Sequence, residues 1–299
     1  MGKKPNSSFL ILPYFKNNII GKIKTFHFFA IEPDNTLISS KPHKVFSISE
    51  NVVRFITWTI AVFDGEFCVG LSKDQIEKLA TGKTIRKISR RDLPIAVANK
   101  LTCATTVATT AFIAHRAGIK VFSTGGIGGV HRGFSADVSA DLPELAQMPI
   151  TVICSGAKIV LDLAQTREWL ETHGITVLGW QCDEMPAFYS RSSGLSVDET
   201  VATAADVASI VKARDELGMK NAVLVTVPVP SEFEIDRGEL EAILADALEL
   251  ANERGIRGKE VTPFLLSQMS ERSGGRTLAA NIALLENNAR VAAGIAAAF

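Results

Sequence analysis

The sequence predicts a single α/β domain with a central mixed, largely parallel sheet and helices on both faces. Three observations lead there. The runs ITVICSG, GITVLGW and NAVLVTVPV are short, β-branched and separated by helical segments, which is the signature of βα units with parallel pairing. A glycine-dense stretch, STGGIGGVHRG, follows another apolar run directly, and ligand sites of such folds gather at strand C-termini. The 299 residues contain no internal repeat, low-complexity tract or proline-rich linker that would divide them.

Taken in order, residues 1–30 stand apart. Lysines 3, 4, 16, 22 and 24 are accompanied by no acidic residue and no clear period, so an irregular or poorly ordered leader is expected there, with the domain occupying 31–299. The absence of acids leaves a targeting peptide as an alternative, although such peptides favour arginine and this stretch has none. TWTIAVFDGEFCVGL alternates around Asp64-Gly65, a favoured hairpin turn, and predicts two antiparallel strands. Ser72 and Gln75 form a capping box for a helix that Gly82 stops. In RKISRRDLPIAVANKLTCATTVATTAFIAHRAGIKVF two apolar helical stretches precede a strand of about five residues from Ile119, with Gly118 as the helix stop. A long helix is expected from Ser196 to Leu217, opened by Ser-Val-Asp-Glu, and another over LEAILADALELANERG. The C-terminal LAANIALLENNARVAAGIAAAF is apolar on more than one face, which suits packing against another subunit.

Composition narrows the partners. Zero formal net charge gives no basic footprint for nucleic acid, so a small-molecule substrate is expected. Cys68, Cys103, Cys154 and Cys182 fit neither a disulfide framework nor a zinc ribbon and point to a reducing, cytoplasmic setting. No apolar run reaches the roughly 18 to 20 residues that cross a bilayer.

Chemistry is concentrated between Lys120 and Asp162. Four glycines between Ser123 and Gly129 let backbone N–H groups converge on an anion such as phosphate, although the spacing is neither a Walker loop nor a dinucleotide fingerprint; a tight turn is the plain alternative. Asp137 and Asp141 can share a hard divalent cation, while Asp141 before Leu142-Pro143 also fits a helix N-cap. His131 is an acid–base candidate or an ordinary hydrogen-bonding residue. Lys158, in SGAK, falls just past a strand at an expected helix N-terminus, where burial and the macrodipole both disfavour its charge; a neutral amine there is a nucleophile, and the plain alternative is a solvated lysine or one paired with Asp162.

Several longer motifs carry a resemblance. TGGIGGVHRG, DVSADLPELA, ICSGAKIVLDL, VLGW with MPAFYSRSSG, and VTPFLL with GGRTLAANIALLENNARVAAGIA together resemble the pseudouridine-5′-phosphate glycosidase family, which includes the indigoidine-cluster A proteins; the likeness runs from about Ala61 to the C-terminus. The resemblance implies a manganese-dependent, homotrimeric enzyme of pseudouridine catabolism that reversibly cleaves the C–C glycosidic bond of pseudouridine 5′-phosphate to uracil and ribose 5-phosphate. It implies Lys158 as the lysine that forms an imine with C1′ of the ring-opened ribose, and Asp137 as the Mn²⁺ ligand. Ser139, Ala140 and Asp141 match a substrate-binding run, Lys87 and Val107 match further substrate contacts, Thr124 a phosphate ligand, and Asn281 an asparagine near the ribose. The family's proton-donor glutamate, in a stretch of the form ALESTIISHGMPYPQN, has its nearest likeness in AIEPDNTLISS and so in Glu32. The rest of that stretch differs, and two alternatives follow: an inactive homologue that binds sugar phosphate, or an aldolase-like lyase acting through the lysine on another sugar phosphate.

Overall fold

The computed structural model describes the backbone of strands 10–14, 27–33 and 55–57, and residues 58–299 save 83, 134 and 258–260. Within the first 33 residues it describes β1 (Leu10–Tyr14) and β2 (His27–Pro33), which pair antiparallel and continue to β3 (Phe55–Thr57). β4 (Ile60–Phe63) and β5 (Glu66–Val69) form the expected hairpin. Its turn residues Asp64 and Gly65 take φ of 50° and 82°, the left-handed pair that this short connection requires. α1 (Lys73–Thr81) starts at the Ser72–Gln75 capping box and ends at Gly82, which is extended rather than left-handed. Glycine is needed at that stop because a Cβ would lie 2.7 Å from the Lys78 carbonyl oxygen.

The following segment departs from expectation. Between the hairpin and the glycine loop lie two short strands, β6 (Arg86–Ile88) and β7 (Cys103–Thr105), around a short helix α2 (Leu93–Ala98). The four strands assemble in the order β5-β4-β7-β6, with β6 parallel to β7. Neither strand exceeds three residues, too few to show alternation in sequence. β2 lies against β4, β7 and β8, so the N-terminal strands join this end of the molecule.

α3 (Val107–Arg116) leads through Gly118, φ 81°, into β8 (Val121–Ser123), which with β10 (Thr151–Cys154), β12 (Thr176–Trp180), β13 (Glu199–Val201) and β14 (Val223–Thr226) forms the main sheet. Its order is β13-β12-β14-β10-β8 and every pairing is parallel. Two small strands, β9 (Val130–His131) and β11 (Leu161–Asp162), pair antiparallel beyond its edge. Ser196–Glu199 is not a helix start: Thr200 and Val201 add the edge strand β13, and α6 (Ala204–Glu216) opens instead on a Thr203–Asp206 capping box.

The sheet is buried on both faces, as an all-parallel sheet must be. Val152 and Leu224 look into one cluster with α3, α5 (Leu163–Thr172), α7 (Arg237–Glu253) and α8 (Val261–Arg272). Their neighbours Ile153 and Val225 look into the other, against α6 and α9 (Arg276–Ala297). α9 is thereby an internal element: Ala289, Ala292, Ala293 and Ala296 cover the sheet of their own chain. Part of its small apolar surface is thus taken up within the chain, while Ala279, Ile282, Gly294 and Ala297 stay exposed.

Candidate active site

The loops that follow β7, β8 and β10 border a cavity of about 360 Å³. Lys87, Val107, Thr124, Asp137, Ser139, Ala140, Asp141 and Lys158 all line it. Segments up to 71 residues apart in sequence are thus brought to one space by the parallel sheet. Asn281 is not among the lining residues. It sits behind the glycine loop, 5% exposed, with Oδ1 accepting no hydrogen bond among the described residues. Glu32 lies on β2 opposite Ile56, and its side chain is outside the described residues.

Lys158 does not stand at a helix N-terminus. The chain after β10 passes Gly156 (φ 79°), bridges Ala157 to Ile127, and reaches Lys158 in a loop; α5 begins only at Leu163, capped by the Asp162 carboxylate, which accepts from the Gln165 N–H at 2.9 Å. Burial, with no contribution from that helix dipole, is the main cause that lowers the Lys158 pKa from its usual 10.5, and the nearby Asp141 carboxylate opposes it. The lysine is partly exposed and lines the cavity.

Asp141 is not the N-cap of α4 (Asp141–Leu145); Ala140 is. Its carboxylate instead accepts from the Ala108 N–H at 2.9 Å and the Gly128 N–H at 2.8 Å. The first turn of α3 and the glycine loop therefore share one buried protein anion, which suits a helix N-terminus. This changes the reading of the loop. The Gly128 amide is already occupied, whereas the amides of Gly125 and Gly126, which line the cavity, meet no protein acceptor among the described residues and are open to a bound anion.

The glycines are required by close approach, and none of the four has positive φ. A Cβ on Gly126 would lie 2.8 Å from the Phe188 ring, and one on Gly128 would lie 2.1 Å from Ser139 Oγ. Phe188 is a cavity residue that sequence reasoning passed over. Its φ of 67° is rare for a bulky side chain, and such strain clusters at functional sites. Ser89 was also missed, although Lys87 and Ser89 sit two apart at the end of β6 and line the same cavity, as a period of two allows.

Asp137 is exposed at the rim, and its carboxylate receives no hydrogen bond among the described residues. No group of three or more His, Cys, Asp or Glu side chains that could hold a metal ion occurs among the described residues. A cation here would take one or two protein oxygens and complete its shell with water and substrate, the habit of Mg²⁺ and Mn²⁺. His131 lines the cavity, and its backbone N–H donates to the Asp137 carbonyl at 2.9 Å, holding the metal-candidate residue to β9.

The chain is similar to several known proteins. Residues 43–298 match the model of the family described as indigoidine synthase A like protein. The pseudouridine-5′-phosphate glycosidase of Caldanaerobacter subterraneus subsp. tengcongensis is 48% identical over 252 residues, 83% of this chain and 82% of that one. That of Petrotoga mobilis is 49% identical over 243 residues, 81% and 79%. Among solved structures, the prealnumycin C-glycosynthase AlnA in complex with ribulose 5-phosphate superposes with a TM-score of 0.76 at 39% identity, over 81% of this chain and 80% of that one. An indigoidine synthase A-like protein of Thermotoga maritima gives 0.75 at 39%, over 79% and 78%. The chain belongs to the indigoidine synthase A-like family.

Proposed function

We propose that this chain is a pseudouridine-5′-phosphate glycosidase that acts through a Schiff base on Lys158. The observation that carries the reading is one cavity in which a lysine with a lowered pKa faces unengaged amides of a glycine loop. The relatives' names supply the substrate. Because the pKa is lowered, a larger share of Lys158 is neutral amine at pH 7. Its nitrogen bonds C1′ as the C1′–O4′ bond breaks, the ribose opens and O4′ takes up the proton that the amine gives up. As that lone pair forms the C=N bond, the C1′–C5 bond breaks with its electrons going to uracil C5, which takes up a proton. Water then hydrolyses the imine, so one water is consumed and uracil, ribose 5-phosphate and free Lys158 remain.

The other residues receive roles by position. Thr124 with the Gly125 and Gly126 amides takes the phosphate, and Lys87 adds a cationic group to the same cavity. Val107, Ser139, Ala140 and Asp141 shape the wall against the sugar, with Asp141 acting mainly by holding Gly128 and Ala108 in place. Glu32 is assigned the proton. Asn281 acts from behind the loop. Mn²⁺ held by Asp137 and water would supply positive charge that draws electron density from the bound substrate. A homotrimer completes the proposal.

Borohydride reduction in the presence of ribose 5-phosphate tests the central assignment. The expected result is a stable sugar adduct on the peptide carrying Lys158, located by mass spectrometry and absent from a Lys158→Ala variant. An adduct on another lysine, or none while uracil is still released, contradicts it.

A further inference from the structure

α9 passes beneath both loops that the proposed chemistry needs, and one of its side chains touches both. Asn288 is fully buried. Its Nδ2 donates to the Thr124 carbonyl oxygen at 2.9 Å and to Ser155 Oγ at 3.1 Å, and the Ser155 hydroxyl donates back to Oδ1 at 3.2 Å. Thr124 opens the glycine loop after β8. Ser155 opens the SGAK loop after β10, three residues before Lys158. The two loops also meet directly, since the Ser155 N–H donates to the Gly125 carbonyl at 2.9 Å. The same face of α9 presses on the glycine loop through Leu284 and Leu285, each 3.3 Å from where a Gly125 Cβ would stand.

We infer that Asn288 is a positioning residue that fixes the spacing between the phosphate-holding loop at Thr124–Gly126 and the Lys158 loop. The side chain suits that task because it offers a donor and an acceptor on a short, rigid stem. An apolar isostere would leave a buried carbonyl and a buried hydroxyl unpaired. An aspartate would place a carboxylate oxygen against the Thr124 carbonyl where a donor is required. The consequence is specific: a phosphate held at one loop delivers the sugar's C1′ to the amine on the other only while the two loops keep their register. The inference rests on Lys158 being the imine-forming residue.

The test compares two trapping rates. Wild type, Asn288→Asp and Ser155→Ala are reduced with borohydride in ribose 5-phosphate and, separately, in ribose, and the rate of adduct formation at Lys158 is followed by mass spectrometry alongside each protein's melting temperature. The advantage of ribose 5-phosphate over ribose falls about a hundredfold in Asn288→Asp and about tenfold in Ser155→Ala, with the ribose rate within about twofold of wild type, as expected for a misplacement of order 1 Å. An unchanged ratio in the folded variants overturns the inference. So does an equal fall in both rates, which is what a merely structural asparagine would give. If Asn288→Asp does not fold, Ser155→Ala alone decides. Wild type that forms no adduct at Lys158 with either sugar removes the lysine assignment itself, a result distinct from an unchanged ratio.

Discussion

Lys158 shows at the scale of one residue how the fold makes a reagent. Ala157 before it is tied to Ile127, the Lys158 N–H donates to the Ile127 carbonyl at 3.1 Å, and the Lys158 carbonyl accepts from the Leu161 N–H at 3.0 Å, so the backbone is fixed on both sides of the side chain. Burial then works against the ammonium form. The sign for stability follows. The unfolded chain binds the Lys158 proton with the ordinary affinity, the folded chain more weakly, so stability rises with pH from the folded pKa up to 10.5. A Lys158→Met variant should therefore melt higher than wild type at pH 7, and the gap should narrow as the pH approaches 10.5. Scanning calorimetry that finds the two equal at pH 7 would contradict a cation that folding disfavours. The lysine's place after a strand was legible in SGAK, because a β-branched run ended there. Its helix-terminal setting was misread because nothing in IVLD announces the small strand β11 that delays α5.

Arg90 is the clearest join at the scale of elements. It follows β6 and reaches α4, where its guanidinium meets both oxygens of Glu144 at 3.0 and 3.1 Å, and it lies 4.7 Å over the Phe112 ring of α3. The segment that carries Lys87 and Ser89 is thereby fastened to the helix that carries Asp141. Burial pushes the Glu144 carboxyl above its usual 4.5, and Arg90 only partly offsets this. The folded state consequently holds that proton more tightly than the unfolded one, and stability falls as pH rises through the window above 4.5. Arg90→Ala should cost about 2 kcal/mol at pH 7, below the usual figure for a broken buried pair because the arginine is partly exposed. The loss should shrink by pH 5 as Glu144 takes up its proton; urea unfolding that gives the same loss at both values would count against it. Elements of four or more residues with strong caps, such as the β4–β5 hairpin, α1 and the strands at 151, 176 and 223, were legible. β6, β7 and β13 were not, since three residues show no period and their pairing is decided by partners far away in sequence. Asp141 failed for a related reason: a local cap was legible, whereas the amides that its carboxylate meets come from positions 108 and 128.

The whole molecule joins a parallel sheet, which places the loops, to α9, which braces them from below. Family resemblance added Lys87, Val107, Thr124, Ser139 and Ala140 to the glycines, Asp137, Asp141, His131 and Lys158 that the sequence alone pointed to, and neither reached Phe188 or Ser89. Asn281, carried over as a residue near the ribose, sits directly behind cavity-lining Gly125 with a buried Oδ1 that has no partner among the described residues. Among the described residues no helix is long and apolar enough to cross a membrane. For the proposed trimer, light scattering coupled to size exclusion should give three times the chain mass; a monomer would remove the trimer from the proposal. The most direct measurement of the account is uracil release from pseudouridine 5′-phosphate by purified protein, with Mn²⁺ and after chelation. The account predicts release that depends on the metal and falls by roughly a thousandfold or more in Lys158→Ala. Folded protein that binds ribose 5-phosphate yet releases no uracil with Mn²⁺ present would contradict it and leave a binding homologue without turnover.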